Sequence, residues 1–197
     1  LEDFYELAAI ATVGDVMDLQ GENRILVKEG LKRLKNTRNP GLRELIRVNG
    51  LEDSKITAYH VGFVLGPCIN ASGRLDTAAR SLALLNAENQ DEAAKLAGDL
   101  TALNQSRKSL TEEGKEAAIH QVENTDLKDD RVLVIYLPDC HESIAGIIAG
   151  RIREKYHKPT FVLTKGENSA KGSGRSIEAY SMYEELVRCA DLLIQFG

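Results

Sequence analysis

Residues 89–123 contain no proline and only two glycines, Gly98 and Gly114. Ala93, Ala94, Leu96, Ala97, Leu100 and Leu103 recur near helical spacing, with acids and bases between them. The pattern predicts one helix of about 30 residues, which would reach about 45 Å. A helix of that length is unusual inside one small domain and suits a spacer between two lobes. The plain alternative is two ordinary helices joined near Ser109–Gly114, with Thr111 as an N-cap. Either way, the chain divides into a part before this stretch and a part after it.

The part after it changes character. Residues 131–137, "RVLVIYL", are β-branched and aromatic and read as a buried strand. Residues 141–157 read as a helix, and "PTFVL" at 159–163 reads as a second strand. Strand, helix and strand in succession imply parallel strands in a βαβ unit. A further helix is expected over 181–194. The part before the long helix is helical throughout, with patterns at 1–11, 22–36 and 40–48. Asn39 before Pro40 is a good N-cap, with proline at the first helical position. Residues 54–87 read as a helix, a break at Gly66–Pro67, and another helix from about 76. The expected fold class is therefore α/β: a mostly helical first part, a long linker helix, then a small α/β lobe. The boundaries fall at 1–88, 89–124 and 125–197.

The 197 residues suffice for one medium domain or two small ones. No run approaches the apolar length that spans a membrane. The first residues begin acidic and lack the basic region of a signal peptide. The three cysteines, Cys68, Cys140 and Cys189, form no CxxC pair. They fit small hydrophobes in a reducing cytoplasm better than a disulfide framework or a catalytic thiol. The net charge of −5 looks wrong for a nucleic-acid binder, but its distribution matters more. Lys and Arg against Asp and Glu number 11 and 11 in residues 1–86, 5 and 11 in 87–130, and 9 and 8 in 131–197. The excess acid lies in the middle, so each flank can hold a local basic pocket.

Four segments carry possible chemistry. In "ATVGDVMDL" (11–19), Asp15 follows eight uncharged residues, which places its carboxylate near the interior. A buried carboxylate must be paired, hydrogen-bonded or metal-bound. Gly14 before it would permit close backbone approach or an unusual φ, and Asp18 would share a helical face with Asp15. The plain alternative for Asp15 is a helix-end cap. In "GPCINASGRL" (66–75), Asn70 and Arg74 lie four apart and would point the same way on a helical turn. An amide and a guanidinium on one face can clamp a phosphate, although a turn with a surface arginine is the plain alternative. In "HESIAGIIAGR" (141–151), His141 and Glu142 open a helix after a strand, where free N–H groups favour an anion. This is no HExxH zinc helix, because position 145 is alanine, and His141 equally suits capping or packing. Gly146 and Gly150 cost helix stability, which suggests close packing there. In "KGSGRS" (171–176), Ser173, Arg175 and Ser176 join two glycines in the inventory of an anion nest, without P-loop spacing. If the stretch is extended, Ser173 and Arg175 project to the same side. A flexible loop is the alternative.

In this order and at these spacings, the four segments resemble the later motifs of the RecJ-type single-stranded-DNA-specific exonucleases. These belong to the DHH/DHHA1 phosphoesterase family. The similarity covers nearly the whole chain. It implies a DHH-type catalytic lobe in residues 1–88, of which only the C-terminal part is present. A linker helix and a DHHA1-type substrate-binding lobe would follow. It implies that Asp15 completes a two-metal site for Mn²⁺ or Mg²⁺, and that Asn70 and Arg74 contact substrate. It places Ser173, Arg175 and Ser176 at the DNA phosphate and His141 at the cleft. The implied activity is metal-dependent 5′→3′ hydrolysis of single-stranded DNA in repair and recombination, in the cytoplasm. Single-strand-binding protein or a helicase are the implied partners. The family's earlier metal motifs are missing, and His60, His120, His141 and His157 include no adjacent pair. The chain also stops before the family's glycine-histidine motif. It therefore reads as a fragment that hydrolyses little or no DNA by itself. A relative acting on short oligonucleotides or cyclic dinucleotides, or a non-catalytic nucleic-acid-binding module, are the other readings.

Overall fold

A computed structural model describes residues 4–197. The chain forms two compact units, one ending at Arg107 and the other starting at Lys108. The division falls inside a single helix, α7 (Gln90–Glu123), which runs 34 residues without interruption. Thr111 lies within this helix and starts none, so the one-helix reading holds and the two-helix reading does not.

The first unit is all helical: α1 (Tyr5–Gly14), α2 (Gly21–Leu34), α3 (Pro40–Val48), α4 (Ala58–His60), α5 (Gly66–Leu75) and α6 (Ala79–Leu85), followed by the start of α7. Asn39 caps α3, its side chain accepting from the Leu42 N–H at 2.9 Å, while its amide donates to the Leu85 carbonyl. Leu34, Leu42, Leu45, Val61, Leu65, Leu84 and Leu100 form the fully buried centre of this unit. Each such aliphatic side chain contributes about 1.5–3 kcal/mol on burial.

The expected break at Gly66–Pro67 is not a break. A π-helical turn (Val61–Leu65) joins α4 to α5, and Gly66 donates to the carbonyl of Val61 five residues back. Pro67, which has no N–H, then falls in the first turn of α5, where that donor is dispensable. The wider turn absorbs the proline, and the helix continues through it. A β-carbon on Gly66 would lie 2.8 Å from the Val61 oxygen, so the turn depends on glycine there.

The second unit holds a three-stranded sheet in the order β1-β2-β3: β1 (Leu133–Tyr136), β2 (Thr160–Lys165) and β3 (Ala170–Arg175). β1 and β2 are parallel and connected by α8 (Glu142–Tyr156), as the βαβ reading expects. β3 returns antiparallel to β2, with Thr164 opposite Lys171, Val162 opposite Ser173 and Thr160 opposite Arg175. Ile144, Ile148 and Ile152 of α8 are buried with Leu133, Ile135 and Val162, and with Ala118 and Val122 of α7. His157 ends α8 in the left-handed conformation at φ 53°. The helix expected over 181–194 shortens to α9 (Met182–Val187) and a 3₁₀ turn, leaving Leu192 and Ile194 exposed. Apolar spacing alone does not sustain a helix whose apolar face buries nothing. No helix among the described residues is long and apolar enough to cross a membrane.

Candidate nucleic-acid interface

In the second unit the site is built by strand alternation. "KGSGRS" is neither a loose loop nor a closed nest; five of its six residues lie in β3. Lys171, Ser173 and Arg175 share one face of the sheet with Thr160, Val162 and Thr164. Gly172 and Gly174 share the other face. A β-carbon on Gly174 would lie 2.8 Å from both Phe161 and Met182, and one on Gly172 2.4 Å from Leu163. The two glycines thus serve close packing, and the polar row projects opposite them. The guanidinium of Arg175 rests against Gly146 of α8, where a β-carbon would meet Nη2 at 2.7 Å and the Ser173 β-carbon at 3.3 Å. Close packing holds at Gly146 as the sequence suggests. Nothing lies within 4 Å of a β-carbon on Gly150, so the expectation fails there.

Ser176 lies just past β3, and its hydroxyl accepts from the Met182 N–H at 3.1 Å. That bond sets the approach to α9. His141 takes the capping role: its Nδ1 accepts from the Ser143 N–H at 3.3 Å and lies 2.7 Å from the Ser143 hydroxyl. Beside it, a cavity of about 240 Å³ opens between α7 and the loop joining β1 to α8, with largely apolar walls that include Leu110, Leu137 and Ile144. Burial pushes the Cys140 thiol up, which disfavours the thiolate a nucleophile needs. The reading of the cysteines as small hydrophobes extends to Cys68, fully buried in the helical core.

In the first unit the site residues sit at helix ends and on one outer face. Asn70 and Arg74 are both exposed on α5, four residues apart. Sequence reasoning missed their companion, Arg107 on α7. Its Nε and Nη2 donate to Asn104 Oδ1 at 3.2 and 3.0 Å. Asn104 is buried, and its amide reaches Cys68 of α5 at 3.4 Å. Burial first, and the Arg74 charge second, pull Arg107 below the usual arginine value. It stays protonated at neutral pH. Two guanidinium groups that repel one another make a natural receptor for an anion. The signal in the sequence was the Asn104–Arg107 pair, three apart on a helix.

Asp15 corrects an expectation. It is the C-terminal cap of α1, its N–H donating to the Ala11 carbonyl at 2.9 Å, and its side chain is exposed rather than buried. The uncharged run before it is a helix whose apolar side faces the core, and the run ends where that helix ends. The unusual φ does not fall on Gly14 but on Val16, at 54°. Among the described residues, no group of three His, Cys, Asp or Glu side chains could hold a metal ion. The residues described here do not form a divalent-metal site by themselves.

A helical unit, one long helix and a small mixed sheet under a single helix recur as a part of RecJ structures. RecJ crystal structures match the whole chain. Thermus thermophilus RecJ in complex with Mg²⁺ does so at a TM-score of 0.86 and 35% identity, over 30% of that chain. An exonuclease RecJ bound to manganese matches at 0.86 and 36%, over 48% of its length. The single-stranded-DNA-specific exonucleases RecJ of Salmonella typhimurium and Bacillus subtilis are 36% and 35% identical to this chain over its full length. The chain spans 36% of the first relative and 25% of the second. It is thus homologous, over all its residues, to part of the RecJ polypeptide. No protein-family model matches it.

Proposed function

We propose that this chain is the strand-gripping portion of a metal-dependent 5′→3′ exonuclease that hydrolyses single-stranded DNA in repair and recombination. In this reading residues 1–88 are the C-terminal part of a DHH-type catalytic lobe, 89–124 the linker helix and 125–197 a DHHA1-type substrate lobe. The observation that carries it is the face of β3, where Ser173 and Arg175 stand side by side against Gly146. The planar guanidinium suits the oxygens of the terminal phosphate, and the hydroxyl beside it those of the next. Asn70 and Arg74, with Arg107, receive a backbone phosphate on the helical unit. Phosphate contacts of this kind position a strand without reading its sequence.

Asp15 supplies one carboxylate toward Mn²⁺ or Mg²⁺, the ions present in the similar crystal structures. Such ions activate water and offset the charge on the phosphodiester. The described residues do not complete that site, so the function of this chain is binding and positioning. Single-stranded DNA is the partner. The compartment is the cytoplasm, and single-strand-binding protein or a helicase are the protein partners that such an enzyme would meet.

The test is direct. The 197-residue chain should bind 5′-phosphorylated single strands, with log affinity falling linearly in log salt concentration. It should release no nucleotides with Mn²⁺ present. Robust Mn²⁺-dependent release would overturn the division of labour, and salt-independent or absent binding would overturn the grip. Preference for very short oligonucleotides over long ones would favour the small-substrate relatives.

A further inference from the structure

The basic and hydroxyl row on β3 is longer than the two residues used above. Lys171 lies two residues before Ser173 and four before Arg175, on the same face, opposite Thr164 in the register. At about 3.3–3.4 Å per residue, neighbours on one face stand about 7 Å apart and the row spans about 13 Å. That repeat is close to the spacing of successive phosphates along an extended single strand. The row therefore offers one donor per phosphate: guanidinium, hydroxyl and ammonium.

The ammonium is not idle. Lys171 Nζ lies 3.0 Å from Glu142 Oε2 in the first turn of α8. Both side chains are more than half exposed, at 61% and 57%. Exposed pairs of this kind contribute little to stability, so breaking this one is cheap. Released, Glu142 still gains from the N-terminal end of the α8 dipole. The pair aligns the lysine along the row and keeps a carboxylate at the same end, where it competes with any arriving phosphate.

We propose that Lys171 is a third backbone anchor, engaging the phosphate two nucleotides inward from the one held by Arg175, and that Glu142 is the group this phosphate displaces. The proposal rests on the reading of β3 as a DNA grip. It adds a length threshold: Lys171 matters only for strands with three or more phosphates.

The experiment uses the 197-residue chain with 5′-phosphorylated oligothymidylates of one to five nucleotides, and a 20-mer for the salt series. Lys171→Gln should leave affinity for the one- and two-nucleotide ligands unchanged. It should weaken binding from three nucleotides upward by roughly five- to tenfold. The salt slope on the 20-mer should shrink by about 0.7, the loss of one phosphate contact. Glu142→Gln should bind the longer strands as well as the parent or better. The proposal fails if Lys171→Gln changes neither affinity nor slope, or weakens all lengths alike. It also fails if Glu142→Gln weakens binding as much as Lys171→Gln, because the pair would then serve only to order the surface. Arg175→Gln separates this from the underlying reading and should weaken every length. If it binds as tightly as the parent, or if the parent binds no oligonucleotide, the grip on β3 is what fails. Folding of each variant is checked by circular dichroism.

Discussion

Gly41 and Gly146 lie in helices of the two units, and a methyl group would crowd both, but against different things. On Gly41 of α3 it would sit 1.9 Å from the carbonyl oxygen of Leu84 and 2.7 Å from its carbon. On Gly146 of α8 it would meet the tip of the Arg175 side chain. Backbone cannot swing aside, whereas a guanidinium can. One glycine therefore serves the fold of the helical unit, and the other makes room for the candidate site of the sheet unit. The two roles cannot be told apart from the letter G in a helical pattern.

That contrast sets the largest expected effect. Gly41→Ala should destabilise the helical unit by about 3 kcal/mol, because α3 must move off the end of α6. Urea denaturation with intact chain checks this. A loss below about 1 kcal/mol would mean that α3 shifts freely and that the contact is not structural. Gly146→Ala should do the opposite. Helix propensity alone favours alanine by up to about 1 kcal/mol, so stability should hold or rise. Single-strand affinity should fall severalfold as Arg175 is pushed from its seat. A variant that is both stable and fully competent in binding would show that the resting place of Arg175 is irrelevant to the grip.

A second pair sharpens the comparison at lower energy. Val16 and His157 share a left-handed backbone, at φ 54° and 53°. His157 has an ordinary reason: its N–H donates to the Arg153 carbonyl and closes α8 two residues before Pro159. Val16 is β-branched, which makes this region costly, and its side chain is 87% exposed. No buried packing offsets the strain. It directly follows Asp15, and strain of this kind gathers at functional positions. Glycine at either position should raise stability, by about 1 kcal/mol at Val16 and about half that at His157, measured by thermal melting. Equal gains at the two sites would remove any special standing for the turn beside Asp15.

The sequence revealed elements whose cause is local or strongly patterned. The long helix was legible because residues 89–123 carry no proline and keep helical spacing. The α3 start was legible from Asn39 and Pro40, and the parallel strands from a β-branched run, a helix and a second run. Features set by backbone accommodation were not legible. The π-helical turn hides a proline that reads as a break. Strand β3 has too few apolar residues to look like a strand, because its partners Phe161, Leu163 and Met182 fill the room that its glycines leave. Burial of Asp15 was inferred from the letters before it, but a helix presents only one side to the core, and its last residue escapes. Arg107 was missed because its neighbour in space, Arg74, is far away along the chain.

The smallest effect concerns pH and the end of the sheet unit. Tyr156 of α8 donates its hydroxyl to Glu123 of α7 at 2.9 Å. Its pKa is pushed up to about 12, by burial first and then by the Glu123 carboxylate. The unfolded chain loses this proton near pH 10. The folded state therefore holds the proton more tightly, and the contribution is complete below about pH 10 and disappears as pH rises to about 12. Glu123 moves the other way: the Tyr156 hydroxyl first, then Lys155, hold its carboxyl below the usual range. Its contribution is present at neutral pH and is lost as pH falls through the folded value. The bond lies at the surface, so solvent screening keeps the tyrosine effect below about 1 kcal/mol. Tyr156→Phe should lower the melting temperature slightly at about pH 9 and by much less at about pH 12, where about half of the folded parent has lost the bond. An equal loss at both values would mean that the ring's packing, rather than its hydroxyl, joins α8 to α7.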